Sequence, residues 1–285
     1  MKKIILLMGF VLLSSGACQA AVFGNFQCGA NPNINSISIS NLIGTNFLGE
    51  KIANAIIRKE ILKDSKGKYS VDLQSYNLTD LKKGIFKSLE INGTDTVTDG
   101  IHASKVKFKT LCDYNYIEIN NKEKTTTFKE PFGMAYAIQF TDEDLNKTME
   151  SKKYAELIRK VNGIGNTYKL FNISSTSAKI LENKLYYTMN VQVPLINLKQ
   201  EITLETDVKA RSGEIILSDT KLVTESFKFD ISKLDKIINY LNPLEFSMNI
   251  FKNKDAQMHI QDATISNNII NVNGVVTVDK DVVTE

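Results

Sequence analysis

Side chains able to act as bases, nucleophiles or soft metal ligands near neutral pH are scarce in this chain: His102, His259, Cys18, Cys28 and Cys112. A general base, a nucleophile–base pair or a zinc site would have to be assembled from these, with help from the 32 carboxylates. Their spacing favours none of the three. The histidines are far apart and no pair of cysteines has metal-ligand spacing. His102 follows Ile101, and His259 lies between Met258 and Ile260, in alternating segments that put each imidazole on the polar side of a strand. No Gly-x-Ser-x-Gly elbow, phosphate loop, dinucleotide fingerprint or metalloprotease helix occurs. The sequence therefore predicts no catalytic residue, no metal ligand and no cofactor.

The cysteines point to a different chemistry. Lys2 and Lys3 precede an apolar run from Ile4 to Leu13, and small residues then lead to Cys18, Gln19, Ala20 and Ala21. This is the pattern of a secretory signal peptide, its apolar run about half the roughly 20 residues that span a bilayer. Cleavage after Ala20 releases a soluble chain. The competing reading lipidates Cys18, although Ser15 stands where such a signal carries leucine. Under either reading Cys28 and Cys112 remain to pair, and an oxidising compartment favours a disulfide over two buried thiols. The expected location is the periplasm, with an anchor through Cys18 as the alternative.

Charge narrows the partners. The chain of 285 residues has 35 basic and 32 acidic side chains, and loss of Lys2 and Lys3 brings its net charge from +3 to about +1. No basic surface for nucleic acid is implied. An apolar content of 42% with only 4 Pro excludes disorder and collagen-like repeats. Residues 1–20 read as signal, 21–40 as a Gly- and Asn-rich extension, and 41–285 as one domain.

The elements follow from hydrophobic period. A helix is predicted over 41–63, where Leu48, Ile52 and Ile56 recur four apart, as do Ala53, Ile57 and Ile61. So broad an apolar side requires burial. Arg58, Lys59 and Lys63 gather near its end, as a solvated helix terminus or as a contact for anionic lipid. A second helix is predicted from Thr141, with Asp144 completing a capping box, to a stop at Asn162-Gly163. A third runs from Asp230 to Leu241, ended by Pro243. Elsewhere the period is two: Phe132, Met134, Tyr136, Ile138 and Phe140, then Leu185, Tyr187, Met189, Val191 and Val193, with a weaker run at Phe246, Met248 and Ile250. Asn92-Gly93, Asp99-Gly100, Ser212-Gly213 and Asn273-Gly274 read as tight turns. Asn77, Asn92, Asn146 and Asn172 begin Asn-x-Ser/Thr triplets and are expected as surface turn residues. The fold class is α+β, dominated by antiparallel sheet.

An apolar sheet face with few helices to cover it has two outcomes. Its side chains fill an ordinary core, or the sheet curls around an apolar groove fit for an acyl chain, each buried methylene contributing about 0.8 kcal/mol. The groove would be lined by Leu48, Ile52 and Ile56 with Phe132, Met134, Tyr136, Ile138, Leu185, Tyr187, Met189 and Val191.

A resemblance bears on that choice. In the segment 73–109, Leu81, Gly84, Phe86, Leu89, Ile91, Val97, Gly100, Ile101, Ser104, Val106 and Phe108 form an "L..G.F" turn, a strand and a "V..GI..S.V.F" strand. The pattern resembles the LmeA-type phospholipid-binding proteins, and the order of elements in 140–279, ending in the "V.G.V.V" of 272–278, is similar too. The resemblance implies a tubular lipid-binding (TULIP-like) fold, a long curved antiparallel sheet wrapped around one or two long helices. It also implies phospholipid binding and envelope lipid handling without covalent chemistry. The segment before Asn41 and the two cysteines have no counterpart in the pattern. The rival expectation is a structural envelope protein with a solid core that recruits a partner strand at a sheet edge.

Overall fold

The computed structural model describes residues 26–29, 45–120, 122–123, 125–167, 171–193, 198–224, 240–249 and 255–284. The signal segment, Cys18 and most of the predicted third helix lie outside them. The described chain runs α1 (Thr45–Asp64), β1 (Ser65–Gln74), α2 (Leu78–Lys83), β2 (Ile85–Phe86), β3 (Ser88–Thr98), β4 (Ile101–Thr110), β5 (Asn115–Asn120), β6 (Thr125–Phe128) and β7 (Phe132–Phe140). It continues through α3 (Asp142–Met149), α4 (Lys152–Thr167), β8 (Asn172–Leu181), β9 (Lys184–Val193), β10 (Leu198–Arg211), β11 (Glu214–Leu222), α5 (Pro243–Asn249), β12 (Gln257–Ser266), β13 (Ile269–Val278) and β14 (Val283–Thr284).

The α+β class holds, and the paired strands are antiparallel throughout. A six-stranded sheet has the order β1-β3-β4-β7-β13-β12, and two four-stranded sheets have the orders β11-β10-β9-β8 and β14-β6-β5-β2. The Ser212-Gly213 turn joins the first two, Gly213 bridging to Ile260 of β12. Inward residues of both sheets, such as Met134, Ile138 and Val272 on one and Leu185, Tyr187 and Ile202 on the other, belong to one hydrophobic core.

The helices show where local signals decide and where they mislead. Thr141 caps α3 as its sequence demands: its Oγ1 accepts the Asp144 N–H while the Asp144 carboxylate accepts the Thr141 N–H. The single helix expected to stop at Asn162-Gly163 is two. Ser151 interrupts it, its Oγ accepting the Tyr154 N–H and its carbonyl the Ala155 N–H, so that it starts α4 as an N-cap. The predicted stop lies inside α4, because the Asn162 side chain is used elsewhere. Pro243 begins a helix where a strand was expected. Asn242 accepts the Leu244 N–H, and a proline in the first helical position has no N–H to leave unpaired.

Two of the four predicted turns are turns: Asp99-Gly100 joins β3 to β4 and Ser212-Gly213 joins β10 to β11, with positive φ at both residues of each. Asn92-Gly93 and Asn273-Gly274 lie within β3 and β13 instead. There the glycine serves close approach. Tyr69 is paired across from Gly93 and Tyr136 across from Gly274, and a Cβ at position 274 would stand 2.5 Å from the Tyr136 hydroxyl.

Sheet edges are closed by side chains. Asn146 of α3 accepts the Ala178 N–H and donates to the Ala178 carbonyl on β8, and Asn162 of α4 does the same to Ile173. On β11, the Ile215 N–H donates to Glu245 and its carbonyl accepts from Asn242. On β1 the Leu73 N–H donates to Asn54 of α1, and just past its end the Ser75 N–H donates to Glu50. Asn146 was expected at a surface turn and is an edge clasp. Asn146→Ala should cost about 2 kcal/mol, since it strands both backbone groups of Ala178. Urea unfolding reads the loss, and hydrogen exchange at the Ala178 amide locates it; unchanged protection there would refute the clasp.

Candidate functional site

Met134, Tyr136, Ile138, Phe132, Leu185, Tyr187 and Met189 all face the interior, at 0–2% exposure. At those values almost none of their surface is open to water. Their neighbours are protein side chains, among them the Phe108 and Phe128 rings against Tyr136 and Phe132. Val191 is half-buried. The strand residues expected to line a groove therefore sit where a packed core sits, as the sequence reading allowed.

That core has a polar centre that periodicity did not foretell. The Tyr154 hydroxyl donates to the Leu241 carbonyl at 2.6 Å and lies 3.0 Å from the Tyr187 hydroxyl. Burial raises the Tyr154 pKa to about 12 and drives Tyr187 upward as well, so both act as neutral hydrogen-bonding groups, not as bases. Tyr136 is likewise raised by burial, and its hydroxyl is buried without a hydrogen-bond partner.

The third expected lining row is placed differently. On α1 the inward side is Ala53, Ile57 and Ile61, with Ile61 buried. Leu48, Ile52 and Ile56 face outward, at 63, 62 and 56% exposure. The expectation that this row is buried is therefore corrected, and the reason is polar. Glu50 and Asn54 share the inward side because their side chains accept donors at Leu73 of β1 and at Ser75 just beyond it, and a helix so anchored turns its opposite side outward. At 1.5 Å rise per residue the outward row extends about 12 Å. Leu62 is exposed too, and Lys51, Arg58, Lys59 and Lys63 stand exposed among these side chains.

Of the residues that could do acid–base chemistry, His259 is exposed beside Gly213, and His102 is half-buried in β4. A cleft of about 660 Å³ at the β3–β4 turn brings His102 together with Asp99, Ser151, Lys147, Lys152 and Lys153. Ser151, His102 and Asp99 are residue types of a hydrolytic triad, and their meeting could not be read from spacing. Their bonds are committed elsewhere. Ser151 Oγ caps α4, and Asp99 pairs with Lys153 at 2.8 Å. Burial, with the charge of Lys147, lowers the His102 pKa, so the imidazole is neutral near pH 7. Among the described residues no group of three or more His, Cys, Asp or Glu side chains is placed to hold a metal ion.

Cys28 and Cys112 form a disulfide with Cα atoms 5.5 Å apart. It fixes the 26–29 segment over β7, where the Phe26 ring fills the space above Gly133. The bond is compatible with export, and among the described residues no helix is long and apolar enough to cross a membrane. No protein-family model, curated protein or solved structure matches the chain.

Proposed function

We propose that this is an exported lipid-binding protein of the cell envelope, without covalent chemistry, whose acyl-contacting surface is the outward side of α1. The observation that carries the reading is the row Leu48, Ile52 and Ile56: three large aliphatic side chains, each more than half exposed, on a helix anchored to the edge of the six-stranded sheet. Covering the exposed part of each stabilises by about 1 kcal/mol, or roughly 3 kcal/mol for the row. That suits reversible contact with acyl chains. The tubular, TULIP-like organisation belongs to the same proposal, supported by two antiparallel sheets that share one core; lipid contact then falls on the wall, along α1, and not in a lumen. Export is supported by the signal-like residues 1–20 and by the disulfide. Strand recruitment is opposed by the side chains that occupy edge groups of β1, β8 and β11.

A monomeric short-chain phosphatidylcholine tests the reading. Saturable shifts of the Ile52 and Ile56 methyl signals are expected with a Kd of roughly millimolar order, as about 3 to 4 kcal/mol of contact implies. Ile52→Asp should abolish them and leave the fold intact, because the side chain is exposed. Wild-type methyl signals that do not respond would refute the proposal. Met134→Asp cannot serve as the probe: it places a carboxylate in a sealed core and unfolds the chain whatever the ligand.

A further inference from the structure

We infer that the outward side of α1 is a docking surface for an anionic lipid bilayer, with the helix axis lying parallel to the membrane plane. The inference deepens the reading of α1 as a lipid-contacting helix and rests on it. It is carried by the sign and placement of the charges around the apolar row. At 3.6 residues per turn, the exposed residues Leu48, Lys51, Ile52, Ala55, Ile56, Arg58, Lys59, Leu62 and Lys63 fall within an arc about 160° wide. Four basic positions and no acidic one fall on the arc, with Lys63 at its margin paired to Glu60.

The acidic side chains of α1 lie off it. Glu50 is bonded to Ser75, and Glu60 pairs with Lys63; both are half-buried, while Asp64 stands at the last residue of the helix. In a chain of almost balanced charge, four cations interleaved with four large aliphatic side chains on one helical side is a local concentration. Aliphatic groups at the acyl boundary and cations at the phosphate level are what an interfacial helix presents to an anionic leaflet. A second copy of this chain fits worse, since pairing these surfaces would oppose like charges. The helix is also already set for docking: Ile61 is buried, and Asn54 and Glu50 tie α1 to β1, so contact orders nothing new.

Co-sedimentation of the mature full-length chain with vesicles tests the inference, comparing phosphatidylcholine alone with phosphatidylcholine containing about 30% phosphatidylglycerol. The expected result is at least tenfold stronger binding to the anionic vesicles, weakening as salt is raised. The Arg58→Glu, Lys59→Glu double variant should lose the preference, and the Ile52→Asp, Ile56→Asp variant should lose about tenfold of the binding itself. Circular dichroism of both variants should match wild type. Equal binding to the two vesicle types overturns the inference and leaves α1 as a lipid-contacting helix. Anionic binding that ignores the Ile52→Asp, Ile56→Asp change overturns it by placing the contact off α1. Failure to bind either vesicle, with the short-chain phospholipid still shifting the Ile52 and Ile56 methyls, overturns docking alone. Failure of both measurements removes the lipid reading as well, and stable self-association through α1 in their place identifies a protein interface.

Discussion

Cys28→Ser is expected to lower the free energy of unfolding by about 4 kcal/mol. The Cys28–Cys112 bond closes a loop with a sequence separation of 84, and in the chain-entropy treatment such a constraint on the unfolded ensemble amounts to about 4.5 kcal/mol. Loss of the seat for Phe26 over Gly133 acts in the same direction. For a protein of this size the change corresponds to a drop in Tm of roughly 8 to 16 °C. Cys28 is the better position to change, because it is exposed, whereas serine at the buried Cys112 would add a polar-burial cost of its own. Dithiothreitol should reproduce the drop in wild type, since Cys28 lies in an exposed segment, and should leave the Tm of Cys28→Ser unchanged. A wild-type Tm indifferent to reduction, with both thiols shown free by mass, would exclude a stabilising role for the bond.

Much of the sheet could be read from the chain because burial there is one-sided. Each alternate residue of β7 from Phe132 to Phe140 is apolar and buried, so a period of two names both the element and its inward face. Thr141 and Asp144 mark the start of α3 because a capping box is local chemistry, complete within four residues. The side of α1 that faces β1 could not be read, because the helix has two aliphatic rows, Leu48-Ile52-Ile56 and Ala53-Ile57-Ile61, and hydrophobicity alone favours the first, which carries Leu where the second carries Ala. Long-range polar bonds decide between them: Asn54 meets the Leu73 N–H of β1 and Glu50 the Ser75 N–H just beyond it, groups set in place once β1 has paired with β3. The row that loses this choice is the candidate site, which is why strand patterning directed attention to β7 and β9.

Turns failed for a related reason. Asn-Gly is a turn signal when glycine supplies positive φ, but Gly93 and Gly274 supply room for a tyrosine on the neighbouring strand. Two hairpins meanwhile turn without glycine, at Glu182-Asn183 and Asn267-Asn268, with positive φ at every position. Their tips hold one another: the Asn183 N–H donates to the Asn268 side chain and the Asn268 N–H to that of Asn183. Asparagine tolerates the left-handed region, and here its amide also links the β8–β9 hairpin to the β12–β13 hairpin. Such a pairing is a property of two distant segments brought together, and no window of sequence contains it.

Tyr154→Ala should be the other large loss, about 4 to 5 kcal/mol, and its comparison with Tyr154→Phe separates two contributions. Tyr154 projects from α4 at 0% exposure, its ring set edge-on to Phe246 of α5 with centroids 5.2 Å apart. Truncation to alanine opens a cavity that α4, β9 and α5 cannot jointly collapse into, which for a buried aromatic costs about 3 to 5 kcal/mol. It also takes from the Leu241 carbonyl its donor at 2.6 Å and from the Tyr187 hydroxyl its partner at 3.0 Å. Phenylalanine keeps the ring and removes only the hydroxyl, so its cost is that of the polar group left behind, about 1 to 3 kcal/mol. Tyr187 moderates it, because its own hydroxyl lies 3.5 Å from the Leu241 carbonyl and can take over as donor. If that substitution occurs, the Tyr154→Phe, Tyr187→Phe pair costs more than the sum of its single changes, since the second removal leaves the carbonyl with neither donor. Chemical denaturation of the four proteins measures the coupling. Additive losses would mean that Leu241 depends on Tyr154 alone, and that α4, not β9, holds the chain in place at the start of α5.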